Sequence, residues 1–74
     1  MEKTKLKAKL KETGITVRVL AKKSGILRFL LYFKLCGLGE FTLDEMRRIA
    51  KALDLTELET AQIFFDIKFP KGNE

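Results

Sequence analysis

Thr42-Leu43-Asp44-Glu45-Met46-Arg47-Arg48-Ile49-Ala50-Lys51-Ala52-Leu53 is the stretch from which the fold is read. Thr42 supplies a side-chain oxygen for an unpaired first-turn amide, and Glu45, three residues on, is placed to bond back to the Thr42 N–H. Met46, Ile49, Ala50 and Leu53 then recur at helical spacing, which predicts one buried face. Thr56-Glu57-Leu58-Glu59 repeats the same box ahead of Ile63 and Phe64, and the pattern carries that helix to about Asp66.

Working back from this pair, the chain keeps the same grammar. Leu6 and Leu10 stand four apart among lysines, one apolar stripe on a first helix of about residues 3–12. Gly14 supplies the stop expected just past a helix end. Thr16 caps a second helix over 17–24, with Leu20 and Ala21 facing inward and Gly25 closing it. A third helix follows at about 27–36, closed by Gly37 and Gly39. No segment alternates convincingly as a strand. The prediction is an all-α, five-helix single domain over 1–74, with its core at about 4–66 and a tail at 67–74 holding Pro70, Gly72 and Asn73.

Composition bounds the function. Seventy-four residues, 46% of them hydrophobic, make one small core and leave no room for a second. A single cysteine excludes an internal disulfide, and its pairing with zero His excludes the usual zinc ligand sets and His-based hydrolysis. The expectation is a non-enzyme with no metal, no cofactor and no small-molecule substrate. Asp44 with Glu45 and Glu57 with Glu59 look like carboxylate pairs, but they sit in first helical turns where they cap and oppose the dipole. The uncharged run Phe29–Phe33 is far shorter than the roughly 20 residues that span a bilayer. A basic N-terminus with no apolar run behind it is not a secretory leader, so a natural chain is expected in the cytoplasm.

Charge is unevenly placed. Residues 1–34 hold ten Lys/Arg against two acids, and residues 35–74 hold five against eight. A basic half suits phosphate, an acidic protein surface or an anionic membrane. For Lys3, Lys5, Lys7, Lys9 and Lys11 a solvated helix face is the simpler account of the charge.

The third helix breaks the grammar. Leu31 and Leu35 point one way, toward the core, while Phe29, Tyr32, Phe33 and Cys36 fall on the other side. Between residues 26 and 36 only Arg28 and Lys34 are charged. A helix apolar nearly all round is buried in a large core, in lipid or by a partner. This chain is too small for the first and the helix too short for the second. Leu27 stands where a capping Ser or Asn belongs, and Val19 where a Glu would complete the box begun by Thr16. Concentrated rule-breaking in a well-specified domain marks a functional surface. Cys36 reads as a small apolar filler at the edge of the patch. Arg28 and Lys34 read either as solubilising charges or as its polar rim.

Residues 4–65 resemble the Cro-like and lambda-repressor-like helix-turn-helix domains of phage and bacterial regulators. The resemblance rests on Gly14-Ile15-Thr16, Leu20-Ala21-Lys22-Lys23, Ser24-Gly25-Ile26, then Leu31, Leu35 and Gly37, and on Phe41 to Leu53. It implies that the third helix is the one laid in the DNA major groove, where outward positions are normally polar because base edges are read by hydrogen bonds. Here the matching positions are Leu27, Arg28, Phe29, Leu30, Tyr32, Phe33, Cys36 and Leu38. The family usually has Asn or another polar residue where Cys36 stands, and a phosphate-anchoring Gln where Val17 stands.

The expected function is therefore a protein-binding module, its scaffold's DNA face replaced, by divergence or by design, with Val17, Leu27, Arg28, Phe29, Leu30, Tyr32, Phe33, Cys36 and Leu38. The partner is another protein or a second copy. The alternative is a DNA-binding repressor using Lys22, Lys23, Arg28 and Lys34 on phosphates, with single-stranded bases stacking on Phe29, Tyr32 and Phe33 as a variant. Membrane attachment is not expected, because the third helix carries too few cations beside its apolar face.

Overall fold

The computed structural model describes residues 4–65, which form five helices: α1 (Thr4–Thr13), α2 (Val17–Ser24), α3 (Arg28–Leu35), α4 (Leu43–Ala52) and α5 (Glu57–Phe64). No strand occurs among these residues, so the described chain is all-helical. The expected extension of the last helix to Asp66 and the tail with Pro70, Gly72 and Asn73 lie outside the described residues.

Three of the helices carry a threonine N-cap. Thr16, Thr42 and Thr56 each accept from the amide three residues on, at 3.2, 3.1 and 3.1 Å. The Glu45 and Glu59 carboxylates accept in return from the Thr42 and Thr56 N–H groups, at 2.8 and 2.9 Å, completing both boxes. α2 has only half of one, because Val19 offers no acceptor. α3 has none: Leu27 makes no side-chain cap bond, although its carbonyl still accepts the Leu31 N–H at 3.0 Å. The expected 27–36 helix accordingly contracts to 28–35, with Leu27 and Cys36 as its caps.

Gly25 turns the chain between α2 and α3 with φ of 77°, donating its N–H to the Ala21 carbonyl at 2.9 Å. The stop after α4 is a residue that carries no glycine signal. Asp54 adopts φ of 55°, and the Leu55 N–H reaches back to the Ala50 carbonyl at 2.8 Å. Asp tolerates this left-handed conformation better than most side chains.

The core gathers Leu6, Leu10, Leu20, Ile26, Leu31, Leu35, Phe41, Ile49, Leu53, Ile63 and Phe64. α2 packs on α4 and α3, while α1 and α4 pack on α5. Met46 and Ala50 are half-buried beside the fully buried Ile49. Phe41 and Phe64 meet edge to face, with ring centroids 5.8 Å apart. Cationic stems tie helices across the core edge. Lys9 Nζ donates to the Glu59 carboxylate at 3.0 Å, and Lys5 Nζ to the Gln62 carbonyl at 3.3 Å, both linking α1 to α5. The Thr56 N–H and the Lys9 ammonium hold the Glu59 carboxyl below its ordinary range.

Candidate functional site on the third helix

Two leucines seat α3 in the core, since Leu31 and Leu35 are buried. That orientation turns the rest of the helix outward. Phe29 is 72% exposed, Tyr32 53% and Phe33 42%, and the flanking Leu27 and Leu38 are also exposed. Phe29 and Phe33, one turn apart, stack with centroids 6.0 Å apart and planes inclined by 28°. These rings cover each other in part and leave their outer faces to solvent.

The expected patch is not uniform. Leu30 and Val17 are only half-exposed and lean on the core, so they form the edges of the exposed patch. Cys36 is exposed at the C-cap, its N–H donated to the Tyr32 carbonyl at 3.0 Å. Gly37, with φ of 85°, then swings Leu38 out beside Phe33, whose carbonyl accepts the Leu38 N–H at 3.1 Å. The exposed apolar side chains here are thus Leu27, Phe29, Tyr32, Phe33 and Leu38: three on α3, its N-cap residue, and one just past Gly37.

The cations named for phosphate contact fall into three places. Lys22 and Arg28 line one open groove of ≈ 610 Å³ together with Arg18 and Val19. Lys23 lies in a separate depression with Ser24, Arg48, Lys51 and Ala52. Lys34 is not free for phosphate, because its Nζ donates to Glu45 Oε1 at 2.6 Å with both side chains largely buried. It also sits 5.9 Å from the centroid of the Phe41 ring. Burial pushes the Glu45 carboxyl up, but the hydrogen bonds from Lys34 and Thr42 and the Lys34 charge outweigh it and leave the group below its ordinary value.

Arg18 was not among the sequence candidates. Its signal was the spacing Arg18–Lys22, one turn on α2, which places both on one face. The Lys34–Glu45 pair had no such signal, since its partners lie eleven residues apart across the α3–α4 connection.

The carboxylates behave as first-turn groups. Glu45 and Glu59 close their boxes, and Asp44 accepts from Arg48 Nε at 2.8 Å, one turn along α4. No group of three or more His, Cys, Asp or Glu residues is arranged to hold a metal ion among the described residues. No helix among them is long and apolar enough to cross a membrane. Comparison with known protein families, with curated proteins and with solved structures finds no match to this chain.

Proposed function

We propose that this chain is a non-catalytic protein-binding module, built on a lambda-repressor-like helix-turn-helix scaffold, that docks a partner protein through α3. The observation that carries the reading is the outward row of Phe29, Tyr32 and Phe33 on a helix whose core-facing side is already filled by Leu31 and Leu35. Full burial of an apolar side chain is worth about 1.5–3 kcal/mol. Leu27, Phe29, Tyr32, Phe33 and Leu38 together offer on the order of 7–10 kcal/mol after allowance for the area already covered, against an association cost of about 4–15 kcal/mol. At the favourable end of both ranges about 6 kcal/mol is left, a dissociation constant of roughly 40 μM, and any polar contacts at the rim add to it. In a DNA major groove the same rings displace water and leave base donors and acceptors unpaired, which is a penalty.

The test is a peptide-display selection on the immobilised chain. Phe29→Ala or Phe33→Ala is expected to weaken the selected binders by about 30-fold, near 2 kcal/mol. Binders that hold equally to both variants overturn the reading.

A DNA-binding repressor is the second reading, and the groove of Arg18, Lys22 and Arg28 is what favours it. It predicts duplex binding that falls steeply between low and moderate salt in a gel shift.

A further inference from the structure

The groove of Arg18, Val19, Lys22 and Arg28 runs beside the aromatic row, and the two are joined by Arg28, which precedes Phe29 and lies one turn ahead of Tyr32. All three cations are exposed, and none makes an ion pair or hydrogen bond among the described residues. No carboxylate lines the groove. Three like charges in one concavity raise its affinity for anions and repel one another until something answers them.

We infer that the occupant of this face is an acidic amphipathic helix of another protein, its apolar stripe on Phe29, Tyr32 and Phe33 and its carboxylates over Arg18, Lys22 and Arg28. This rests on the protein-binding reading above and names its partner class. A second copy of the chain fits poorly. Its Glu12 and Glu59 face Lys9, its Glu45 is held by Lys34 and its Asp44 by Arg48, while Asp54 and Glu57, which carry no ion pair among the described residues, lie between α4 and α5 and at the start of α5 rather than on α2 or α3. A two-fold contact through α3 would also bring the Arg28 side chains of both copies to the same interface, where like charges cost affinity. An outside partner brings the apolar stripe and unpaired carboxylates together on one helix, an arrangement that α2 and α3 of a second copy, with no Asp or Glu on either, do not offer. Guanidinium groups suit carboxylates because their fork of donors matches both oxygens.

The experiment is a display library of amphipathic 16-residue helices with a fixed Leu stripe and randomised flanks, selected on the intact chain. The expected result is enrichment of Asp and Glu in the flank facing α2. A representative peptide made with Gln in place of those acids should bind about 10-fold more weakly. The triple variant Arg18→Gln, Lys22→Gln, Arg28→Gln, checked by circular dichroism for an unchanged helical spectrum, should lose the acidic preference. Enrichment of neutral or basic flanks overturns the inference while leaving a protein-binding face intact. Failure to select any helix, with tight salt-sensitive binding of a duplex or single-stranded oligonucleotide instead, overturns both. Light scattering at micromolar concentration adds a third arm, since a dimer dissociated by Phe33→Ala assigns the face to a second copy.

Discussion

The Lys34–Glu45 pair is expected to contribute about 2 kcal/mol to folding as a coupled unit. Its atoms stand 2.6 Å apart, and the two side chains retain only 15% and 16% of their exposure. At an effective dielectric near 20 the attraction at that distance is about 6 kcal/mol, and desolvating both ions removes most of it. What remains is about 1.5–3 kcal/mol, the usual net value of a charged hydrogen bond. Glu45→Gln separates this pair from the helix cap, because Gln also serves at the third position of a capping box. Lys34→Met keeps the stem near Phe41 and removes only the ammonium. Urea denaturation of both single variants and the double should give a coupling of about 1–2 kcal/mol. The pH dependence has a fixed sign. The Glu45 value is depressed in the folded chain, so its stabilisation is complete above the ordinary glutamate range and is lost as pH falls through the folded value. Strict additivity of the two variants, within about 0.3 kcal/mol, would refute the reasoning and return Lys34 to the pool of cations free for phosphate.

Three further outcomes follow from the same geometry. Leu27→Ser should leave stability unchanged or raise it by up to about 1 kcal/mol in urea, since a cap gains about 0.5–2 kcal/mol and the buried third of an exposed leucine forfeits about 0.5–1; partner affinity should fall, and a marked loss of stability would show that Leu27 packs. Gly25→Ala should cost about 1–2 kcal/mol, because φ is 77° and a Cβ there meets Arg48 Nη1 at 3.1 Å, whereas Gly39→Ala, whose Cβ makes only ordinary contacts, should be near neutral in the same melt. Leu20→Ala empties a fully buried site between α2, α3 and α4 and should cost about 2–5 kcal/mol, visible as a large drop in the urea midpoint.

Helix positions were legible wherever a threonine, a glycine and a periodic stripe agreed. Thr42 with Glu45 and Thr56 with Glu59 announce their helices because capping is local chemistry, decided within four residues. Leu31 and Leu35 announce the inner side of α3 by spacing, and this in turn turns Phe29, Tyr32 and Phe33 outward. What the sequence hides is chemistry between elements. Lys34 looks like a free cation until α4 brings Glu45 against it. Lys22 and Lys23, neighbours in the chain, part company because adjacent helical residues point about 100° apart. Leu30 looks like part of the outer patch, yet its angle on the helix lies between the two faces and the core takes half of it. Asp54 closes α4 without any glycine, in a left-handed conformation flanked by the packed Leu53 and Leu55 and closed by the Leu55 bond back to Ala50.

The proposed surface falls on the helix that is least specified by its own sequence. It has no N-cap side chain and no acid in its first turn, so little in its own sequence holds it helical. An eight-residue segment of this kind is marginal by itself. Its order comes instead from Leu31 and Leu35 on the inside and from Lys34 anchored to the capped end of α4. The capping position is thereby released to present Leu27, and the first turn is released to present Arg28 and Phe29. Local specification and surface chemistry compete for the same residues, and under the proposed reading α3 gives up its cap to the surface while two leucines and one largely buried ion pair hold it to the core.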